Sequence, residues 1–311
     1  MVRRAVVRAY SSSANLGPGF DVLAVAHTAF YDEVEVTVEP GRGRVRIDAV
    51  SGPYASDVDV ERNTAVEAVK AAITELGLSV DVRLRIWKGI PVARGLGSSG
   101  ASAAAAVRGL DEALGLGLSA REAIRLAGLG EVASASQPHF DNVAASIVGG
   151  FVAITDLESL SFVSWYGDCL LVIAVPRARY PKRKTEFMRS VVPKRVDLES
   201  VVRNSCSLVR LVVGLERWDL KLAGSGMRDA VVEPARAPYV PCYEVAKKRA
   251  TEAGALGVAL SGAGPSMIAL CDDELCAKRV FRAFSKAYSE CGVELEHLAV
   301  ARLAPGAHRV D

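Results

Sequence analysis

The sequence predicts an α+β fold in two parts, and three observations carry that reading. Residues 80–88, Val-Asp-Val-Arg-Leu-Arg-Ile-Trp-Lys, place apolar side chains at every second position, the period of a strand buried on one face. An Ala-rich stretch running to about Leu114 follows a glycine-serine loop and reads as a helix. Strand-like and helix-like segments are mixed in both halves of the chain, instead of being sorted into separate blocks.

The remaining elements follow the same rules. Residues 2–10, 29–39 and 43–50 alternate as strands. Asn63 precedes a helix from Thr64 to Leu76, and Gly77 closes it. Ser119 is the expected N-cap of a second helix that runs to about Ala135. Residues 148–155 and 169–175 are continuous apolar runs, the pattern of buried strands. Helices are expected at 197–215, 240–254 and 274–291, with strands at 256–261, 266–271 and 293–302. Between Pro176 and Arg195 lies the one compositional break, with three prolines, eight basic residues and a single acid. A domain boundary is expected between residues 150 and 180, dividing the chain into 1–160 and 161–311.

Composition narrows the function. The 311 residues are 50% hydrophobic and 24% charged, the profile of a globular protein with a substantial core. A net charge of +2 gives no global attraction to nucleic acid or to an anionic membrane, and neither is expected as a partner. No apolar run approaches the roughly 20 residues that span a bilayer. Met1-Val2-Arg3-Arg4 leads straight into a strand pattern, unlike a signal peptide, so a cytoplasmic location is expected. The six cysteines, at 169, 206, 242, 271, 276 and 291, include no C-x-x-C pair and read as buried free thiols.

Gly95-Leu96-Gly97-Ser98-Ser99-Gly100 matches the dinucleotide pattern G-x-G-x-x-G literally. Its surroundings do not. A Rossmann unit needs a second strand ending in an acid some 20 residues on, where this sequence has the helical Ser119-Ala-Arg-Glu-Ala-Ile-Arg-Leu-Ala. Pro91 interrupts the approach from the strand, and no Gly-Lys-Ser/Thr follows as in a Walker loop. What survives is the chemistry: glycines admit a ligand close to the backbone, N–H groups at a helix start attract anions, and Ser98 and Ser99 add hydroxyls. A plain strand-to-helix turn with a serine cap would use the same residues.

Two more segments share this character, Ser11-Ser12-Ser13-Ala14-Asn15-Leu16-Gly17-Pro18-Gly19-Phe20-Asp21 and Leu260-Ser261-Gly262-Ala263-Gly264-Pro265-Ser266. In this order and spacing the three resemble the motifs of the GHMP small-molecule kinases, named for galactokinase, homoserine kinase, mevalonate kinase and phosphomevalonate kinase. Pro91-Val92-Ala93-Arg94-Gly95-Leu96-Gly97-Ser98-Ser99 reproduces the family's phosphate loop without a gap. Residues 12–23, His139-Phe140-Asp141-Asn142-Val143-Ala144 and Glu233-Pro234-Ala235-Arg236 are similar to the homoserine kinase branch. The likeness runs from about residue 5 to 270. It implies a two-domain GHMP kinase-like fold, with a ribosomal protein S5 domain 2-like N-terminal domain that binds ATP. A ferredoxin-like C-terminal domain would complete the substrate site.

The resemblance also implies a site. The nucleotide would meet Pro91, Arg94, Gly95, Leu96, Gly97, Ser98, Ser99, Gly100, Ala101 and Ser102, with Asn63 and Lys88 bordering the adenine pocket. Asn63, read alone, serves equally as a helix cap. Ser99 and Glu131 would hold Mg2+. L-Homoserine is a zwitterion with one reactive hydroxyl, so it needs an anion, a cation and a hydroxyl partner. Asp21 would take its ammonium group, and Arg189 and Arg236 its carboxylate, which suits the guanidinium fork. Asn15 and Asn142 would orient the hydroxyl, with His139 and Gly262 beside them. Thr185 and Arg189 resemble an element that closes on the substrate, although 176–195 also reads as a solvated linker. Asp141 stands near the place of the general base in mevalonate kinases and galactokinases, while direct transfer without a base fits the homoserine kinase branch. Threonine biosynthesis and a homodimer are further implications. A sister kinase for mevalonate or shikimate, diphosphomevalonate decarboxylase and a non-catalytic ATP-binding module of the same fold remain alternatives.

Overall fold

A computed structural model describes residues 2–135, 140–180 and 184–311. The chain opens with two long paired strands, β1 (Arg3–Asn15) and β2 (Gly19–Pro40), followed by β3 (Val45–Ser51), helix α1 (Thr64–Glu75) and β4 (Val80–Lys88). Three helices follow, α2 (Ser98–Leu114), α3 (Ala120–Ala135) and α4 (Phe140–Val148), and then the hairpin of β5 (Phe151–Asp156) and β6 (Ser161–Trp165). The remainder runs β7 (Leu170–Pro176), α5 (Lys184–Ser190), α6 (Leu198–Glu216), α7 (Leu220–Ser225), α8 (Val232–Arg236) and α9 (Tyr243–Glu252). It ends with β8 (Gly257–Leu260), β9 (Met267–Cys271), α10 (Glu274–Glu290), β10 (Leu295–Ala301) and β11 (His308–Arg309).

The strands form two sheets. The first has the order β11-β1-β2-β4-β3, with β5 on another stretch of β2 and β6 beside β5. Only β3 and β4 are parallel within it, and α1 makes the crossover between them. On β2, Val34, Val36 and Val38 are buried while Glu33, Glu35 and Thr37 are half-buried, which is the alternation that the sequence displays. Helix α2 packs on this sheet through alanines, and a side chain at Gly109 would run into Val36. Small residues let the helix lie close to the strands.

The second sheet is antiparallel with the order β10-β7-β9-β8. Numbered within its own β-α-β-β-α-β run this is 4-1-3-2, the ferredoxin-like order. All seven residues of β7 are buried. Leu171, Ile173 and Val175 enter one core cluster, and Leu170, Val172 and Ala174 enter another. Covered on both faces, β7 has no polar side and reads in sequence as an unbroken apolar run. The hairpin keeps residues up to Trp165 with the first sheet, and β11 returns there beside β1.

Several expectations need correction. The serine-rich segment after the first strand is not a turn until Leu16: β1 continues to Asn15, with Ser11, Ser12 and Ser13 buried and paired to residues 25–27 of β2. Buried serines fit a strand when their hydroxyls find partners. Helix α4, strand β6 and the short helices α5, α7 and α8 lie in segments too short for a periodic signal. The basic segment is not a solvated linker throughout, since Lys184 and Met188 are buried. The cysteines are not all free, nor all buried. Cys242 and Cys291 form a disulfide with 5.9 Å between their Cα atoms, and Cys206 is exposed. Cys242 immediately precedes α9 and Cys291 immediately follows α10, so two packed helices bring together thiols 49 residues apart. Among the described residues, no helix is long and apolar enough to cross a membrane.

Candidate active site

The three glycine- and serine-rich segments converge on one cleft of about 430 Å³. Ser12 joins the first to the second: its N–H donates to the Leu96 carbonyl at 3.1 Å, and its hydroxyl donates to Asn142 Oδ1 at 2.9 Å. Ser261, in the third, donates its hydroxyl to the Gly95 carbonyl at 2.6 Å. Gly262 N–H reaches the Ala14 carbonyl at 3.0 Å, and Asn15 Nδ2 returns to the Gly262 carbonyl at 3.1 Å. This closeness explains two glycines. A Cβ on Gly95 would collide with the Ser261 carbonyl and lie 2.7 Å from that of Gly264, while one on Gly97 would strike the Ser12 hydroxyl. Both have positive φ, 79° and 65°.

Beneath these contacts is a buried hydrogen-bonded chain. Ser13 Oγ lies 2.8 Å from Ser261 Oγ and 3.1 Å from Nε2 of the fully buried His27, whose Nδ1 is 3.1 Å from Ser11 Oγ. The Gly95 carbonyl can only accept, so it takes the single Ser261 proton. Ser13 then donates to Ser261, while Ser11 Oγ also faces the carbonyls of His27 and Phe30, both at 3.1 Å. Burial holds this imidazole neutral, with its pKa pushed down to about 3. None of this was legible from His27 as an isolated residue.

Helix α2 points its N-terminus into the cleft, with Gly97 in the left-handed conformation just before it. Unpaired N–H groups and the helix dipole make such an end an anion site. Its first turn is locked from below. Lys88 Nζ donates to Asp32 at 2.5 Å, to the Ser98 carbonyl at 2.8 Å and to Ser102 Oγ at 2.7 Å. Asp32 Oδ1 also accepts from the N–H groups of Gly89 and Ile90, both at 3.0 Å. Lys88 therefore spends its charge on the floor of the loop. Ser98 Oγ is turned to the Ile90 carbonyl at 3.2 Å, whereas Ser99 is exposed and hydrogen-bonded to the buried Glu131. Burial raises the Glu131 carboxyl above its ordinary pKa. A desolvated carboxylate with a hydroxyl is a hard-oxygen donor pair suited to Mg2+.

The other end of the cleft carries the charges expected for the acceptor. Arg189 Nη2 donates to both oxygens of Asp21, and Arg236, almost wholly buried, donates to the carbonyls of Met188 at 3.0 Å and Gly262 at 3.1 Å. Both guanidinium groups lie 5.3 Å from the ring centre of Phe20. Burial lowers the Arg236 pKa to about 10. Asn142 and Asp141 stand on the first turn of α4, where Asp141 Oδ1 accepts from Asn142 N–H at 2.7 Å. Burial, then the charges of Asp21 and Glu131, lift the Asp141 pKa to about 7.

Most residues singled out from the sequence line this cleft: Asn15, Asp21, Asn63, Lys88, Arg94 to Ser99, Ser102, Glu131, Asp141, Asn142, Thr185, Arg189, Arg236 and Gly262. Asn63 also caps α1, accepting from Ala65 N–H at 3.0 Å. Arg94 forms two hydrogen bonds with Glu296 of β10, at 2.6 and 2.5 Å. Pro91, Gly100 and Ala101 are buried and do not line the cleft. His139 lies outside the described residues. Sequence reasoning missed Phe20, Asp32, Arg62 and Lys184; of these only the basic character of Lys184 was noticeable, inside the segment 176–195.

Comparison with known proteins adds an independent finding. The sequence matches the GHMP kinases N terminal domain over residues 63–150 and the GHMP kinases C terminal domain over 211–290. It is 44% identical to homoserine kinase of Aeropyrum pernix, covering 98% of this chain and 97% of that protein. With homoserine kinase of Pyrobaculum aerophilum the identity is 41%, over 97% of this chain and 99% of the relative. The crystal structure of homoserine kinase from Cytophaga hutchinsonii superimposes with a TM-score of 0.90 at 29% identity, covering 99% of this chain and 98% of that one. A mevalonate kinase from L. major, in complex with R-mevalonate, shares the fold at a TM-score of 0.70, with 17% identity over 97% and 96% of the two chains.

Proposed function

The chain belongs to the GHMP kinase family, within its homoserine kinase branch, and we infer that its site moves the terminal phosphate of ATP onto the side-chain hydroxyl of L-homoserine. The reaction is an ATP-dependent phosphoryl transfer to an alcohol, giving O-phospho-L-homoserine for threonine biosynthesis. One observation carries this reading: a single cleft unites a helix N-terminus suited to phosphate with Asp21, Arg189 and Arg236, a charge set suited to a zwitterion.

Phosphoryl transfer asks chiefly for positioning and charge neutralisation. In our reading the loop from Gly95 to Ser99 receives the phosphates, and the Lys88–Asp32 pair holds that loop rigid from below. Asp21 turns from Arg189 to the substrate ammonium, and Arg189 with Arg236 takes the carboxylate. Asn15 and Asn142 orient the hydroxyl toward the phosphate. Mg2+, held by Ser99 and Glu131, would neutralise phosphate charge. Asp141 lines the cleft with a pKa of about 7, which suits a proton acceptor, but its Oδ1 is engaged by Asn142 N–H. We therefore assign Asp141 to fixing Asn142 and the local charge: the hydroxyl oxygen attacks the terminal phosphorus, ADP leaves, and the hydroxyl proton passes directly to an oxygen of the transferring phosphate. On the pattern of the family, the working unit is a cytoplasmic homodimer, with the ATP-binding and substrate-completing domains meeting after the β5–β6 hairpin, between Trp165 and Leu170, later than the expected division at residue 160.

The test is the product. 31P NMR of a reaction with ATP, magnesium and L-homoserine should give a monoester signal split by the two protons of the adjacent methylene. An acyl phosphate, destroyed by hydroxylamine, or inorganic phosphate alone would overturn the assignment.

A further inference from the structure

In the wall of the cleft, an ammonium group has no place in the mechanism above. Lys184, the first residue of α5, is buried, and its Nζ donates a hydrogen bond to the Gly264 carbonyl. Among the described residues this is its only hydrogen-bond partner, and no carboxylate lies within ion-pair distance. Two of the three ammonium protons therefore have no protein acceptor. A buried lysine is ordinarily paired, because removing an ammonium from water is costly. Here the neighbouring charges are cations. Burial, then the charges of Arg236 and Arg94, push the Lys184 pKa down to about 7.

Its position identifies what is missing. The Gly264 carbonyl that holds Lys184 lies 2.7 Å from where a Cβ on Gly95 would stand, so the ammonium is one carbonyl away from the phosphate loop. Five residues along the same chain, Arg189 holds Asp21 at the acceptor end. Lys184 thus lines the same cleft as the phosphate loop and the acceptor charges, and the terminal phosphate of the donor must sit in that cleft for transfer. We propose that Lys184 binds the terminal phosphate of ATP and takes up a proton from solvent as the nucleotide enters. The proposal rests on the ATP reading above and adds a residue to it.

The sign of the proton movement follows from the groups facing Lys184. In the empty cleft Arg236 and Arg94 disfavour the charged amine, so at pH 8 it is mostly neutral. A polyanion beside it reverses that balance and raises its affinity for a proton. At pH 8 the nucleotide is fully deprotonated, since a phosphate's last pKa is roughly 6, and releases no proton itself. Asp141, also titrating near 7, responds to the same anion in the same direction. Variants of Lys184 separate the two contributions.

Calorimetric titration with ATP, ADP and AMP at pH 8, in two buffers of different ionisation enthalpy, gives the protons exchanged. For the unaltered protein, uptake of most of a proton is expected with ATP and little with AMP. Lys184→Met should remove the larger part of that uptake, leaving only the Asp141 share, and weaken ATP by about 10- to 100-fold, the worth of one charge-assisted hydrogen bond, with AMP unchanged. Lys184→Arg, charged before binding, should keep ATP affinity but show the same reduced uptake as Lys184→Met. Equal uptake in Lys184→Arg and the parent would overturn the proposal, as would equal loss of ATP and AMP affinity in Lys184→Met with ATP affinity also lost in Lys184→Arg. Failure of the unaltered protein to bind any of the three would instead overturn the nucleotide reading itself.

Discussion

Arg189 donates from one guanidinium nitrogen to both carboxylate oxygens of Asp21, at 2.9 and 2.8 Å. The two groups assigned to opposite ends of a zwitterion are thus paired with each other. Their side chains are 32% and 36% exposed, and such a pair is worth only about 0–1 kcal/mol. Opening it for the substrate costs little, because each partner finds an equivalent charge on the amino acid. Asp21→Asn removes the ammonium partner while keeping the shape. The KM for L-homoserine should rise about 10- to 100-fold and the KM for ATP should change less than threefold. Steady-state kinetics with each substrate varied would check this, and equal rises in both KM values would count against the assignment.

Asp141 gives a pH signature. Its carboxyl titrates near 7 in the folded protein, against an ordinary value of 3.8. The folded state therefore keeps a proton that the unfolded chain releases above pH 4. This contribution to stability is complete below pH 4 and is lost as the pH rises through 7. Asp141→Asn needs no such proton. Relative to the parent, it should gain stability steadily from pH 4 to 7, by at most about 4 kcal/mol. Denaturant midpoints across that range would show it, and a pH-independent difference would contradict it. His27, neutral when folded, has the opposite slope between pH 3 and 6.5, so in the parent it offsets part of the Asp141 trend.

Gly95 is where two loops touch most closely. Its φ of 79° is one that side chains rarely adopt, and a methyl group would collide with the Ser261 carbonyl. Relief requires the phosphate loop to part from the third segment, which also carries the Gly262 carbonyl shared by Asn15 and Arg236. Gly95→Ala should cost about 1–3 kcal/mol of stability and lower kcat/KM by at least tenfold for both substrates. Thermal unfolding and kinetics would measure the two effects together. An alanine variant with unchanged activity would show that the contact is not essential to the site.

How much of this was legible depends on distance along the chain. The phosphate loop could be read because its glycines, serines and following helix are contiguous, and the alternation in β4 gave that strand its bounds. The partners of the loop could not. Lys88 is visible as a base at the end of a strand, but Asp32 enters only through the β2–β4 register, 56 residues away. Ser11 and Ser13 look like turn residues because serine favours turns, and only the pairing with β2 that delivers His27 makes them strand residues. The Cys242–Cys291 bond is a product of helix packing with no local spacing to announce it.

Acceptor specificity tests the central claim most directly. ADP release should be followed with L-homoserine, mevalonate, shikimate and L-threonine at equal concentrations, with ATP and magnesium saturating. L-Homoserine should give a kcat/KM at least about 100-fold above that for mevalonate, which has no ammonium for Asp21. Turnover of mevalonate or shikimate as fast as that of homoserine, or tight ATP binding with no ADP from any of the four, would contradict it.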